Sequence, residues 1–178
     1  MPESKFYHFS ANGLFYGIET VTEAVTVLRE GGFIWLNYYK PEKEDLNLLI
    51  DLIGIHPLSV EDCFDDKQVP KIEHFQNNTF ILFNAFSYKD ETLYTDEVNL
   101  FIGKNFLITV SGHNSDDRRP FKNIEEIIEH DPQNMKTSPA ALMHKVLDFL
   151  VDQKYESFDT MEEELEASED CIVDNVGN

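Results

Sequence analysis

The sequence predicts an α/β (α+β) fold: a mixed, largely antiparallel sheet with helices on both faces, plus a long projecting acidic C-terminal helix. Three observations predict it. Short runs of aromatic and β-branched residues alternate with segments of helical period. Two of those runs flank Gly103-Lys-Asn105, the pattern of a hairpin. From Ser138-Pro139 the helical period continues unbroken to about residue 170.

The elements follow in order. Phe6, Tyr7 and Phe9 suit a strand beginning near Lys5, and Gly13 breaks it before a second strand over Leu14 to Ile18. Thr20 and Glu23 have capping-box spacing, and Val21, Ala24, Val25 and Leu28 recur as one helix face until Gly31-Gly32. Phe33 to Tyr39 reads as a buried strand. Glu42 to Ile53 places Leu46, Leu49, Ile50 and Ile53 on one face, and Gly54 stops that helix. Pro57 fits the first turn of a short helix carrying Leu58, Val60 and Phe64, and Pro70 lies beyond its end.

Lys71 to Phe75 and Thr79 to Tyr88 read as strands, the second followed by a turn at Lys89-Asp-Glu-Thr92. Glu97 to Ile102 and Phe106 to Ser111 form the hairpin. Asn123 to His130 is helical with Ile124, Ile127 and Ile128 inward. The last helix aligns Leu142, Val146, Leu150, Phe158, Met161 and Leu165 and spans about 50 Å. That length exceeds a compact body of this size. The expected division is therefore 1–137 as an α/β/α unit and 138–178 as the start of a long acidic helical hairpin.

Composition excludes several classes. The chain has 178 residues, 42% of them hydrophobic, with 14 Phe, 7 Tyr and 1 Trp, enough for a core. Thirty-four acids against 14 Lys and Arg give a net charge of −20, which repels nucleic acid and attracts cations. Cys63 and Cys171 stand in unrelated contexts, so a disulfide framework is not expected and a reducing compartment is. The N-terminal MPESKFYHFS lacks an apolar core for a signal peptide, and no run approaches the roughly 18 apolar residues of a membrane span. The chain by itself is expected to be soluble.

Motifs for catalysis are missing. There is no Walker A, no His-Glu-x-x-His, no Gly-x-Ser-x-Gly and no EF-hand loop. His56, Glu61 and Asp62 admit a small metal or acid–base site. A helix stop, a corner and a dipole-favoured acidic turn explain the same residues without chemistry, and that reading is preferred. Lys71, Glu73 and His74 read as solvated strand residues. After Lys154 no Lys or Arg follows, while nine acids lie between Glu156 and Asp174. The plain reading is a solvated helix face. The length of the helix and its uncompensated charge point instead to water, basic partners or divalent cations.

One stretch carries a resemblance. Gly54-Ile-His-Pro-Leu58, then Glu61-Asp62, then Gln68, Pro70, Lys71, Glu73 and Phe75, resembles the N-terminal cytosolic domain of the CorA family of magnesium channels. Phe80 to Tyr88, Asn105 and Leu150-Val151-Asp152 continue it along most of the chain. Val69 stands where the family often has Arg. The Gly-Met-Asn pore signature and both membrane spans are missing, so the resemblance implies an excised cytosolic part cut inside a helical hairpin at residue 178.

The resemblance further implies no enzyme but a divalent-cation-sensing domain of a homopentameric transporter on the inner face of the cell membrane. Mg²⁺ held between protomers favours the closed state. Co²⁺, Ni²⁺ and Zn²⁺ are alternative ions. It places the regulatory acid in the loop after the aromatic strand, where Asp90 is the nearest match, with Glu91 beside it and Asp152 as a second-site acid. His56, Pro57, Glu61, Asp62, Pro70 and Lys71 are then architectural. Alternatives are a zinc or cobalt transporter domain, a soluble metal-dependent enzyme at His56, and an acidic interaction module.

Overall fold

The computed structural model describes residues 4–65, 68–112, 119–130 and 138–176. The boundary expected at residue 137 and the cut expected at residue 178 lie outside the described residues.

Seven strands form one open sheet: β1 (Lys5–Phe9), β2 (Phe15–Ile18), β3 (Phe33–Tyr39), β4 (Lys71–His74), β5 (Asn78–Lys89), β6 (Thr92–Gly103) and β7 (Phe106–Ser111). Their spatial order is β2-β1-β3-β7-β6-β5-β4. Every neighbouring pair is antiparallel except β3 with β7, which run parallel with Ile34 beside Phe106. The parallel pair requires a long crossover, supplied by everything between β3 and β7 in sequence. Each inner strand alternates its side chains between two covered faces, so β3 is buried at all 7 positions.

One face is covered by α1 (Val21–Val27), α2 (Lys43–Ile53) and α3 (Pro57–Asp62). Ala24, Val27, Leu46, Leu49 and Val60 pack there on Ile34, Leu36, Phe80 and Phe101. Thr20 caps α1, its hydroxyl accepting from the Glu23 amide at 3.1 Å. The Glu23 carboxylate closes the reciprocal bond one residue earlier than expected, on the Glu19 amide at 3.0 Å. Gly54 ends α2 with φ +84°, a left-handed conformation that suits glycine. Gly32 is required for space: a Cβ there would lie 2.0 Å from the Phe9 carbonyl oxygen.

The other face is covered by α4 (Lys122–His130) and α5 (Pro139–Val176). Ile124, Ile128, Leu142, Val146 and Leu150 pack on Trp35, Val98, Leu100 and Leu107. Ser138 caps α5, accepting from the Ala141 amide at 3.2 Å. One inward placement differs from the sequence reading. Ile127 is 52% exposed, while Ile128 beside it is buried against the sheet. Leu58 is 57% exposed, Val60 being the inward residue of α3. Phe158 and Leu165 are 49% and 60% exposed, both lining the open groove between α5 and the β5–β6 hairpin. α5 is also longer than expected, 38 residues or about 57 Å.

A buried polar network holds α4. Glu125 is 1% exposed. Its carboxylate accepts from the Asn37 amide and faces Arg119 at 3.1 Å and Lys5 at 3.2 Å. Asn37 in turn accepts from Thr109 at 2.7 Å, and Thr109 from the Trp35 indole at 3.0 Å. A carboxylate under a helix is tolerated because two cations and an amide surround it.

Candidate functional site

The corner around His56 and the turn at Asp90 are separate places in the fold. At the corner, His56 is the N-cap of α3: Nδ1 accepts from the Leu58 amide at 3.2 Å. Its ring stacks on Phe75, with centroids 4.3 Å apart and planes at 14°. Pro57 opens the helix, where no N–H is needed. Glu61 is exposed. Asp62 is held by Lys71, Nζ to Oδ2 at 2.8 Å, and Lys71 also lies 3.6 Å from Glu73. The Asp62 hydrogen bond, partly opposed by desolvation, raises the Lys71 ammonium above its ordinary value. Lys71 is therefore an anchored residue, unlike the solvated one expected. Pro70, exposed, directly precedes β4.

Asp90 and Glu91 form the two-residue turn between β5 and β6. Both adopt left-handed backbone, φ 51° and 58°, the conformation that joins twisted strands by the tightest turn. The Asp90 side chain is 83% exposed, with Lys89 Nζ at 3.9 Å. Glu91 lines an open groove of about 900 Å³ between the hairpin and α5, together with Tyr88, Phe158, Glu162, Glu164 and Leu165. Asp152 is exposed on α5, nearer its N-terminus than the residues of that groove. Among the described residues no three His, Cys, Asp or Glu side chains converge as a metal site.

The sequence reading missed the contacts that fasten the hairpin to α5. Lys154 Nζ lies 3.8 Å above the Phe83 ring and 4.6 Å from Phe86, and burial there lowers its pKa. Phe86 meets Phe158 edge-on at 6.2 Å. Tyr88 donates a hydrogen bond to Glu164. That bond is the first cause pushing the Tyr88 hydroxyl up to about 12. Alternation puts Phe86 and Tyr88 on a strand, but their partners on α5 depend on where the helix crosses the hairpin.

Residues 30–177 match the family model described as CorA-like Mg²⁺ transporter protein. The chain belongs to the CorA-like Mg²⁺ transporter family. It is 26% identical over 161 residues to the cobalt/magnesium transport protein CorA of Thermotoga maritima, covering 87% of this chain and 45% of that protein. It is 32% identical over 121 residues to YfjQ of Bacillus subtilis, assigned as a metal ion transporter, covering 68% of this chain and 36% of that one. The chain thus spans less than half the length of these CorA-like relatives.

The fold is that of solved CorA-like domains. The soluble domain of Methanocaldococcus jannaschii CorA superposes with a TM-score of 0.72 at 18% identity, covering 97% of this chain and 66% of that one. The cytoplasmic domain of Vibrio parahaemolyticus ZntB superposes with a TM-score of 0.71 at 16% identity, covering 92% and 63%. The family is one of transporters. No helix among the described residues is long and apolar enough to cross a membrane.

Proposed function

We propose that this chain is the cytosolic, divalent-cation-sensing part of a larger CorA-like transporter, and that Mg²⁺ held between neighbouring copies favours the closed state. The observation that carries the reading is the Asp90–Glu91 turn: two carboxylates at a strand-hairpin tip, Asp90 83% exposed, in a chain of net charge −20.

The donor set fits the ion. Carboxylate oxygens are hard ligands, and an exposed turn admits the hydrated Mg²⁺ that sheds water reluctantly. One turn supplies half a site, so a facing chain completes it. Asp152, exposed along α5, serves a second site. Copies of a chain with this charge repel one another when brought side by side. Bound cation screens facing acids, and the packed ring gains RT ln(1 + [L]/Kd) per site. Falling Mg²⁺ lets repulsion splay the ring. In this reading residues 138 onward close the core with their first turns and then begin a helical hairpin leading to the membrane spans.

The likeness to ZntB keeps a zinc-transporting relative as the second reading. The donors favour Mg²⁺ for the sensor itself: Cys63 is buried in the core, and the turn carries only oxygen ligands.

The test is limited proteolysis of the complete membrane protein across Mg²⁺, Co²⁺ and Zn²⁺ titrations. Asp90→Asn with Glu91→Gln should flatten the Mg²⁺ dependence of protection. A wild-type Mg²⁺ response in that double variant would place the sensor elsewhere.

A further inference from the structure

We propose that Tyr88 is a positioning residue: through its hydrogen bond to Glu164 it fixes the Asp90–Glu91 turn against α5, which rests on the cation-sensing reading above. The contacts between hairpin and helix climb toward the turn. Phe83 and Phe86 meet Lys154, Phe86 meets Phe158, and Tyr88 meets Glu164. The last is a hydrogen bond two residues before Asp90.

Beyond Tyr88 the turn is closed by the Lys89–Thr92 pair and by the Thr92 hydroxyl donating to the Asp90 carbonyl, all contacts within the hairpin itself. Lys89, Asp90, Glu91, Thr92 and Leu93 are all exposed. Glu91 lines the same groove as Glu162 and Glu164. Like charges lining one groove repel, and the Tyr88 hydroxyl, bonded to Glu164, supplies an attraction between hairpin and helix. Phenol ionises well above neutral pH here, so the donor persists under physiological conditions.

The consequence for ion binding is preorganisation. A cation shared with a second chain meets a turn already set at one height along the helix, and binding does not have to order it. Without the Tyr88 bond, part of the binding free energy goes into immobilising the tip, and half-saturation moves to higher Mg²⁺.

The experiment titrates Mg²⁺ against protease protection in the complete protein, comparing Tyr88→Phe, Glu164→Ala and Glu164→Gln with wild type. Loss of one hydrogen bond should raise the half-protecting Mg²⁺ concentration about threefold to tenfold in Tyr88→Phe and Glu164→Ala. Glu164→Gln keeps an amide oxygen that accepts from Tyr88, so its midpoint should stay within about twofold of wild type. A wild-type midpoint in Tyr88→Phe, alongside a flattened response in Asp90→Asn, would overturn the inference and leave the sensing reading standing. Glu164→Gln shifting as far as Glu164→Ala would also overturn it, because charge and not the hydrogen bond would then be at work. An unchanged Asp90→Asn/Glu91→Gln double variant would remove the sensing reading and this inference together.

Discussion

Lys71 Nζ lies 2.8 Å from Asp62 Oδ2, joining the last residue of α3 to the first residue of the edge strand β4. The two side chains are only 25% and 17% exposed, so this bond is shielded better than a surface pair. Asp62→Asn or Lys71→Met should lower stability by about 0.5–1.5 kcal/mol, read from the urea midpoint. The Lys71 pKa is raised, first by the Asp62 hydrogen bond. The folded state therefore holds this proton more tightly than the unfolded chain. The contribution is full below the ordinary lysine range and is lost as pH rises through the raised value. The midpoint difference between wild type and Lys71→Met should shrink at strongly alkaline pH.

His56 acts as a cap and as a stacked ring. His56→Ala should cost about 1–2 kcal/mol, the sum of a lost N-cap and a lost ring contact with Phe75. His56→Asn restores the cap acceptor alone and should recover about half of it. The Mg²⁺ response of the complete protein should be untouched. Normal melting with a lost metal response would instead make His56 a metal ligand.

Glu91 occupies a left-handed position at φ 58° without being glycine. Glu91→Gly removes that strain and should stabilise the chain by about 0.5–1 kcal/mol, seen as a raised thermal midpoint. Asp90→Gly should act in the same direction for the same reason. A fall in the midpoint for both would show that the turn does not hold this conformation in solution.

Glu129 accepts from Lys5 at 2.9 Å and from Tyr7 at 2.8 Å, and these bonds, Lys5 first, hold its carboxyl below the usual range. The unfolded chain binds this proton more readily than the folded one. The stabilisation is present above the ordinary carboxylate range and is lost as pH falls through the lowered value. Glu129→Gln should flatten the acid limb of the stability profile slightly, because the side chain is 40% exposed and solvent screens the pair. An acid limb as steep as that of wild type would contradict this assignment.

The chain alone should sediment as a monomer or a weak, salt-dependent assembly. Its charge of −20 opposes self-association. A stable pentamer insensitive to salt would show that interdomain contacts outweigh that repulsion without any membrane part.

Short-range spacing determined most of the elements. The aromatic run of β3, the cap at Thr20, the stop at Gly54, Pro57 at the start of α3 and the Asp90–Glu91 turn all depend on residues within a few positions of one another. Local backbone preference and hydrophobic period are sufficient to read them. The same holds for the place of Asp90 at a strand end.

Tertiary structure alone decided the partners of polar side chains. Glu125 reads as an ordinary exposed acid on a helix; it is buried because β3 lies beside β7, which sets Asn37 and Thr109 beneath α4. Tyr88 reads as one more strand aromatic, and becomes a tether because α5 crosses the hairpin at Glu164. Ile127 and Ile128 are equivalent apolar neighbours until the sheet selects one. A side chain's partner depends on which distant elements the strand order brings alongside it, and that information is not carried by spacing along the chain.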